Sequence, residues 1–439
     1  MHLRLIFIRF SMIYKVKQIK NPHPIEVSVP GSKSITNRAL LIAALAKGRS
    51  RLKGVLFSDD SRHFIQALID LGFTVDVDEE NCIVTIDGLG GDIPKKKAHI
   101  NVGSAGTAAR FLTAYLGLSD GEYYIDSSEQ MKKRPMKELL ESLEDLGSVI
   151  TYGQEENHFP FGIGCPDMRK NEVVVDVDKS SQFLSALLIS SVLFDSDFRI
   201  KVTGTHGMAY VDMTIQMMEQ FGVRVERLDD TQYTAEYFIS GDSYYLNRDY
   251  NIEPDMSAAC YFYAMSPLLG VTSMVNGVHS KSLQGDIRFL NVLEDMGCVL
   301  EEKKEGIVVC PPEDNILKGG KWDLSTFSDQ TLTLAAIAPF ASGKVQISGV
   351  GHIRFQECDR INAIIENLTA MGIEVSEKEG TITIIPGKVK GCLIKTFEDH
   401  RVAMSFAICG LVTDGIEIEN PLCCRKTFEN YFDVLESIM

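Results

Sequence analysis

Cations, hydroxyls and glycines gather where this sequence starts its helices. Gly103-Ser-Ala-Gly-Thr-Ala-Ala-Arg110 leads into the apolar run Phe111-Leu-Thr-Ala-Tyr-Leu, which reads as a tight turn opening a helix. Glycine lets the backbone approach a ligand closely, and the free N–H groups of a helix start favour an anion. No Asp or Glu occurs in the stretch, although acids are favoured in a first helical turn. Pro30-Gly-Ser-Lys-Ser-Ile-Thr-Asn-Arg38 repeats the pattern. Lys33 and Arg38 stand in or near a first turn, where the helix dipole disfavours cations, among the donors Ser32, Ser34, Thr36 and Asn37. A bound phosphate would offset those charges, whereas a plain capped helix accounts only for the serines. The spacing is not that of a Walker loop. Ser180-Ser-Gln182 opens another helix, and Met131-Lys-Lys-Arg-Pro135 sets three cations before a proline. N-capping and a solvated charge run are the plainer readings of these two.

The second half carries the same signature with carboxylates added. Asp329 precedes an apolar helix, Gln356-Glu-Cys-Asp-Arg360 mixes both signs in one turn, Asp399-His-Arg401 leads into Val-Ala-Met-Ser-Phe, and Lys426 follows a short strand. Capping or an exposed salt bridge explains any one of them. Jointly they put cations at helix starts in both halves, which suits two anionic substrates held between two domains.

The elements that position these residues recur. Leu71-Gly72, Leu146-Gly147, Phe221-Gly222, Met296-Gly297 and Met371-Gly372 each end an amphipathic helix, and successive glycines are 75 residues apart. Each glycine fits a helix C-cap. A short strand follows it, such as Thr74-Val-Asp-Val, and usually a second, such as Thr381-Ile-Thr-Ile-Ile. This predicts six βαβαββ-like units, three in each of two similar domains. The chain stops before a sixth glycine, so the strand Ile25-Glu-Val-Ser-Val is expected to complete the last copy.

At 439 residues, two or three domains are expected, and 45% hydrophobic residues suffice for large cores. A net charge of −16 argues against general nucleic-acid or anionic-membrane binding. Ten Cys without C-x-x-C read as reduced cytosolic thiols, and the nine scattered His predict no metal site. No apolar run reaches membrane-spanning length. Residues 1–11, MHLRLIFIRFS, are too short in their apolar part for a signal peptide and lack a cleavage site, so they are expected to be an extension ahead of a start at Met12.

The stretches GSKSITNR, GSAGTAAR, KKRPM, SSQFLSALL, LQGDIRF, QECDR, EDHRVAMS and KTF, in this order, resemble the 5-enolpyruvylshikimate-3-phosphate synthase family from about Val29 to Phe432. The resemblance implies an α/β fold of two similar domains, each of three βαβαββ repeats in an inside-out α/β barrel. They would be hinged near Pro30–Lys33 and Tyr250–Pro254, giving domains of 33–250 and of 12–32 plus 251–439. It implies transfer of the enolpyruvyl group of phosphoenolpyruvate to the 5-hydroxyl of shikimate 3-phosphate, in a cytoplasmic, monomeric enzyme without metal or cofactor. By match, Lys33, Ser34, Arg38, Ser180, Ser181, Gln182, Tyr210, Asp329, His352 and Gln356 would bind shikimate 3-phosphate. Lys33, Gly106, Arg134, Gln182, Arg360, Arg401 and Lys426 would bind phosphoenolpyruvate, and Asp329 and Glu357 would move the protons. Neighbouring cations would lower those carboxyls and burial would raise them, and the sequence leaves the balance open.

This chain departs from the family's pattern at several positions. Ser104 replaces a frequent Asn, Gly207 a usual phosphate-binding Ser, His352 a common Asn, Gln356 a usual Lys, and Phe111 a common Pro that bears on inhibitor sensitivity. Protonation of His352 near its ordinary range, about pH 6–7, is expected to restore the charge missing at Gln356. Two other readings are a UDP-N-acetylglucosamine enolpyruvyl transferase, which the GSKSITNR start and the SSQ triplet disfavour, and a non-catalytic phosphometabolite-binding relative.

Overall fold

The structure, a computed structural model, describes residues 12–165, 167, 170–228 and 232–439; the expected extension, residues 1–11, lies outside them. Its repeating unit is seen plainly in the strand Lys97–Asn101, the helix Gly106–Gly117, the strand Glu122–Asp126, the helix Lys137–Leu146 and the strands Val149–Tyr152 and Phe161–Gly164. The first two strands pair in parallel across the helix, and the hairpin then adds antiparallel to the second. Five four-stranded sheets share this order, and a sixth sheet has three strands. The five spaced glycines, Gly72, Gly147, Gly222, Gly297 and Gly372, all have φ between 79° and 115°, as a left-handed helix end requires.

Two sheets borrow their outer strand from the far side of the chain. Asp249–Asn251 runs parallel to Lys47–Lys53, and Ile25–Val27 runs parallel to Ser273–Val275. The expected use of Ile25–Val29 in the last copy is therefore corrected: Ile13–Lys15 pairs antiparallel with Glu417–Glu419 there. The reason is burial. Ile25 and Val27 face inward into the core beside Val275. Tyr14 instead packs on Phe432, in the first turn of the last helix Tyr431–Ser437, with ring centroids 4.3 Å apart and planes tilted by 42°.

The exchange makes the chain cross twice between two cores. One core gathers side chains from Ile35 to Ile252; the other gathers Val16, Ile25 and Val27 with Met256 to Ile438. At the crossings Ser32 N donates to Glu253 O and Asp255 N to Pro30 O, each at 2.8 Å. A Cβ on Gly31 would sit 1.8 Å from Gly54 O, so only glycine fits that passage. Asp255 also caps the helix Met256–Leu269 through Ala258 N and accepts from Lys33 N at 3.1 Å, tying the two crossings together.

In each unit the first helix is the buried one. Lys33–Leu45, Gly106–Gly117, Gln182–Ser190, Met256–Leu269, Thr331–Ile337 and His400–Val412 are sheathed by the sheets and the outer helices, and none has an acid in its first turn. The outer helices Asp59–Asp70 and Lys137–Leu146 do carry acids there. Asp255 and Asp399 cap two of these helices, whereas the starts at Lys33, Gly106 and Gln182 keep their partial positive charge with no acid at the cap or in the first turn. Among the described residues no helix is long and apolar enough to cross a membrane, no His, Cys, Asp or Glu cluster suits a metal, and no two cysteines form a disulfide.

Candidate active site

Opening residues of five inner helices meet in one cleft between the two cores, with about 1070 Å³ of empty space. Its walls hold the cations Lys33, Arg38, Arg110, Arg134, Lys179, Arg360 and Arg401 against two carboxylates, Asp329 and Glu357. A surplus of positive charge in a chain of net charge −16 marks this cleft as an anion site.

The second half contributes a closed ionic cluster. Arg360 is the hub: its Nε donates to Asp399 at 2.8 Å, Nη1 to Asp329 at 2.9 Å and Nη2 to Glu357 at 3.0 Å. Arg401 Nη2 reaches the other Asp329 oxygen at 2.8 Å, and Lys426 Nζ the other Glu357 oxygen at 3.2 Å. Three cations thus face three carboxylates. Asp399, fully buried, also caps the helix of Arg401 by accepting from that residue's N–H at 2.8 Å. Burial alone would raise the Asp329 carboxyl, but Arg401 and Arg360 outweigh it and bring it down to about 2. Burial likewise raises Glu357, yet Lys426, Arg360, Arg134 and Lys33 together hold it well below the usual carboxylate range. The cations win the balance that the sequence left open.

The first half supplies cations without carboxylates. Arg38 is buried and donates only to neutral groups: Thr214, Ser185 and the carbonyls of Ser34 and Tyr210. Desolvation lowers it to about 10. Arg110 is 1% exposed, bonds the carbonyls of Gly106 and Pro135, and leaves its Nε without a partner. Burial and the nearby Arg134 push it well below the ordinary arginine value. Gly106 lies against both guanidiniums, a built Cβ falling 2.6 Å from Arg134 Nη1 and 3.1 Å from Arg110 Nη1. Gln182 Oε1 is buried and unpaired beside them. Buried donors and cations left in this state favour a ligand that brings negative charge and hydroxyls. Within the cleft, Tyr210 OH of the first half donates to Asp329 Oδ2 of the second at 2.9 Å.

Of the residues singled out in the sequence, Lys33, Ser34, Arg38, Arg134, Ser180, Ser181, Gln182, Tyr210, Asp329, His352, Gln356, Glu357, Arg360 and Arg401 line this one cleft. Gly106 lies beneath Arg134, and Lys426 reaches the cleft through Glu357. In the KKRPM run only Arg134 turns inward; Lys132 pairs with Glu129 and Lys133 is exposed. Gln356 does not stand in for a cation, because its Oε1 accepts from Arg360 Nη1. His352 does not titrate near 6–7, since burial and then His206 lower it to about 4. Gly207 has φ 66° and caps the helix Met208–Gln220, and a Cβ there would fall 2.5 Å from Ser181 Oγ. A serine would be strained in that backbone and would crowd Ser181. Sequence reasoning missed Arg110 and Asp399, which stood in quoted motifs; their burial was the missing signal. His206, legible only as a neighbour of Gly207, lines the cleft as well.

A family model described as EPSP synthase (3-phosphoshikimate 1-carboxyvinyltransferase) matches residues 18–435. A protein named 3-phosphoshikimate 1-carboxyvinyltransferase from a Nostoc species is 41% identical over 418 residues, covering 95% of this chain and 97% of its own. A second of that name from Halalkalibacterium halodurans is 39% identical over 417 residues, covering 94% and 91%. Among solved structures, EPSP synthase from Acinetobacter baumannii superimposes with a TM-score of 0.82 at 22% identity, covering 97% of this chain and 98% of that one.

Proposed function

Because this chain belongs to the EPSP synthase family, we propose that its two halves divide the two substrates of that reaction between them. The protein is an enzyme that transfers the enolpyruvyl group of phosphoenolpyruvate to the 5-hydroxyl of shikimate 3-phosphate and releases phosphate. The supporting observation is the ionic cluster of Arg360, Arg401 and Lys426 with Asp329, Glu357 and Asp399, opposite Arg38, Arg110 and Arg134, which have no carboxylate partner among the described residues. In this reading Arg134, Arg360, Arg401, Lys426 and Lys33 take the phosphate and carboxylate of phosphoenolpyruvate, with Gly106 giving them room. Ser34, Arg38, Ser180, Ser181, Gln182, Tyr210, His352 and Gln356 take the ring and phosphate of shikimate 3-phosphate.

The chemistry follows from exchanging partners. The 5-hydroxyl oxygen attacks C2 of phosphoenolpyruvate while C3 gains a proton and the double bond becomes single. The adduct then loses phosphate as C3 gives up a proton and the double bond returns. An acid and a base are required, and both carboxyls are anionic before substrates bind. When substrate anions take over the cations, burial acts on Glu357 and Asp329 with less opposition, and both carboxyls rise toward values where they can carry a proton. Glu357 sits among the cations assigned to phosphoenolpyruvate and serves C3. Asp329, bonded to Tyr210, serves the 5-hydroxyl. The same cations stabilise charge on the departing phosphate.

The proposal includes domains of residues 33–250 and of 12–32 plus 251–439, hinged at the paired crossings, in a cytoplasmic monomer that needs no cofactor and binds neither nucleic acid nor membrane. The net charge of −16, the two separate cores and cysteines that form no disulfide among the described residues support it. The test is phosphate release from phosphoenolpyruvate, measured with shikimate 3-phosphate and with UDP-N-acetylglucosamine as acceptors. Release with the first alone is expected; release only with the second would overturn the assignment.

A further inference from the structure

His206 and His352 come from opposite halves and meet at the cleft with ring centroids 4.1 Å apart and planes tilted by 52°. Both line the cleft, with Ser180 and Ser181 in the same wall. The left-handed turn at Gly207 presses that loop against Ser181 and so fixes His206 beside the serine pair. His352 Nε2 lies 2.8 Å from Ser328 Oγ, while the His206 ring has no hydrogen bond or ion pair among the described residues. Nearby, the amide oxygen of Gln356 is occupied by Arg360, and Lys179 is paired with Glu138. The wall that carries the two serines therefore offers hydroxyls but has little free cationic charge of its own.

We propose that His206 and His352 together form a phosphate contact for shikimate 3-phosphate that is neutral in the free protein and takes up a proton as the phosphate dianion enters. This rests on the assignment of shikimate 3-phosphate to the cleft and adds to it the residue pair and the linked proton. Two imidazolium rings at that distance would repel, so without ligand the closed pair favours the neutral forms. Burial lowers His206, against the pull of Asp178 and Asp329. Burial and then His206 lower His352, against Asp329, with Arg360 adding to the lowering. A dianion beside the rings reverses the balance, because it attracts a charge that the neighbouring ring alone disfavours. Either ring can then donate a charge-assisted hydrogen bond, while Ser328 fixes the orientation of His352. The pair exists only while the halves are together, so the same contact couples phosphate binding to closure.

The sign separates this from the ligand's own ionisation. A phosphate monoester that must become a dianion to bind releases protons on binding, whereas the histidine pair takes them up. The full-length protein is titrated calorimetrically with shikimate 3-phosphate in buffers of different ionisation enthalpy, at about pH 7.5, where the ligand phosphate is already almost wholly dianionic. Net uptake of a substantial fraction of a proton is expected. It should be smaller in both His206→Gln and His352→Gln and lost when both are replaced, with affinity falling roughly tenfold. Shikimate, which lacks the phosphate, should cause no uptake in any of these proteins. Zero or negative uptake by the parent protein, or uptake unchanged in both variants, overturns the proposal. Absence of any binding heat with shikimate 3-phosphate would instead remove the substrate assignment beneath it. Both rings are partly buried at the cleft wall, and equal urea midpoints would show that the variants fold as the parent does.

Discussion

Asp399 is the hidden support of the ionic cluster, and its replacement is the sharpest trial of how the cluster is held. Its carboxylate is fully buried and does two jobs at once: Oδ1 caps the helix His400–Val412 through Arg401 N, and Oδ2 holds Arg360 Nε. Loss of an N-cap costs about 0.5–2 kcal/mol. Removing one partner of a buried ion pair costs about 3–5 kcal/mol, because the other charge stays buried. Both contacts share one side chain, so the terms overlap, and Asp399→Ala is expected to lose roughly 4–5 kcal/mol, a large part of a typical stability. Asp399→Asn keeps one acceptor. If it caps the helix, its amide N–H₂ faces the Arg360 Nε donor, and about half of the loss is expected. Arg360 then keeps Asp329 and Glu357 but loses the anchor at Nε, and its fork can rotate. A misplacement of about 1 Å can cost about 10²-fold in rate, so kcat/KM for phosphoenolpyruvate should fall roughly 10- to 100-fold, and that for shikimate 3-phosphate less. Urea unfolding and steady-state kinetics in each substrate measure both effects. An Asp399→Asn protein with the parent's midpoint and parent kinetics toward phosphoenolpyruvate would refute the reasoning. So would a double-mutant cycle with Arg360→Lys that shows no coupling.

Glu357→Gln and Asp329→Asn should each lower kcat by about 10²- to 10⁴-fold while leaving the circular dichroism spectrum unchanged, and near-parental turnover in both would dismiss the pair as proton carriers. Asp286 is buried, and burial, reinforced by Asp329 against Arg401, pushes its carboxyl up to about 7. Its folded value lies above that of an unfolded aspartate, so its stabilising contribution is lost as pH rises from about 4 through about 7. Asp286→Asn can still accept from Ser257 and should flatten the dependence of the unfolding midpoint on pH in that window; a variant with the parent's slope would contradict it. Gly207→Ala places a Cβ at φ 66° and 2.5 Å from Ser181 Oγ. It should cost roughly 1–3 kcal/mol and raise KM for shikimate 3-phosphate more than for phosphoenolpyruvate, as read from thermal unfolding and substrate titrations.

What the sequence determined by itself was everything set by neighbours along the chain. The glycines 75 residues apart end their helices because a left-handed C-cap is a local demand, and all five have positive φ. Cations and hydroxyls at helix starts in both halves announced an anion site, and five of the inner helices do open onto one cleft. Lys33, Arg134, Arg360 and Arg401 were legible for that reason. Only the tertiary structure decided which distant groups meet. Ile13–Lys15 rather than Ile25–Val27 completes the last sheet, since a three-residue strand carries no mark of a partner some 400 residues away. His206 finds His352 through a contact between loops of opposite halves that no spacing encodes. The charge state of Asp329 and Glu357 was open for the same reason. Burial and ion pairing pull a carboxyl in opposite directions, and their balance depends on distances of about 3 Å that exist only once the chain has folded.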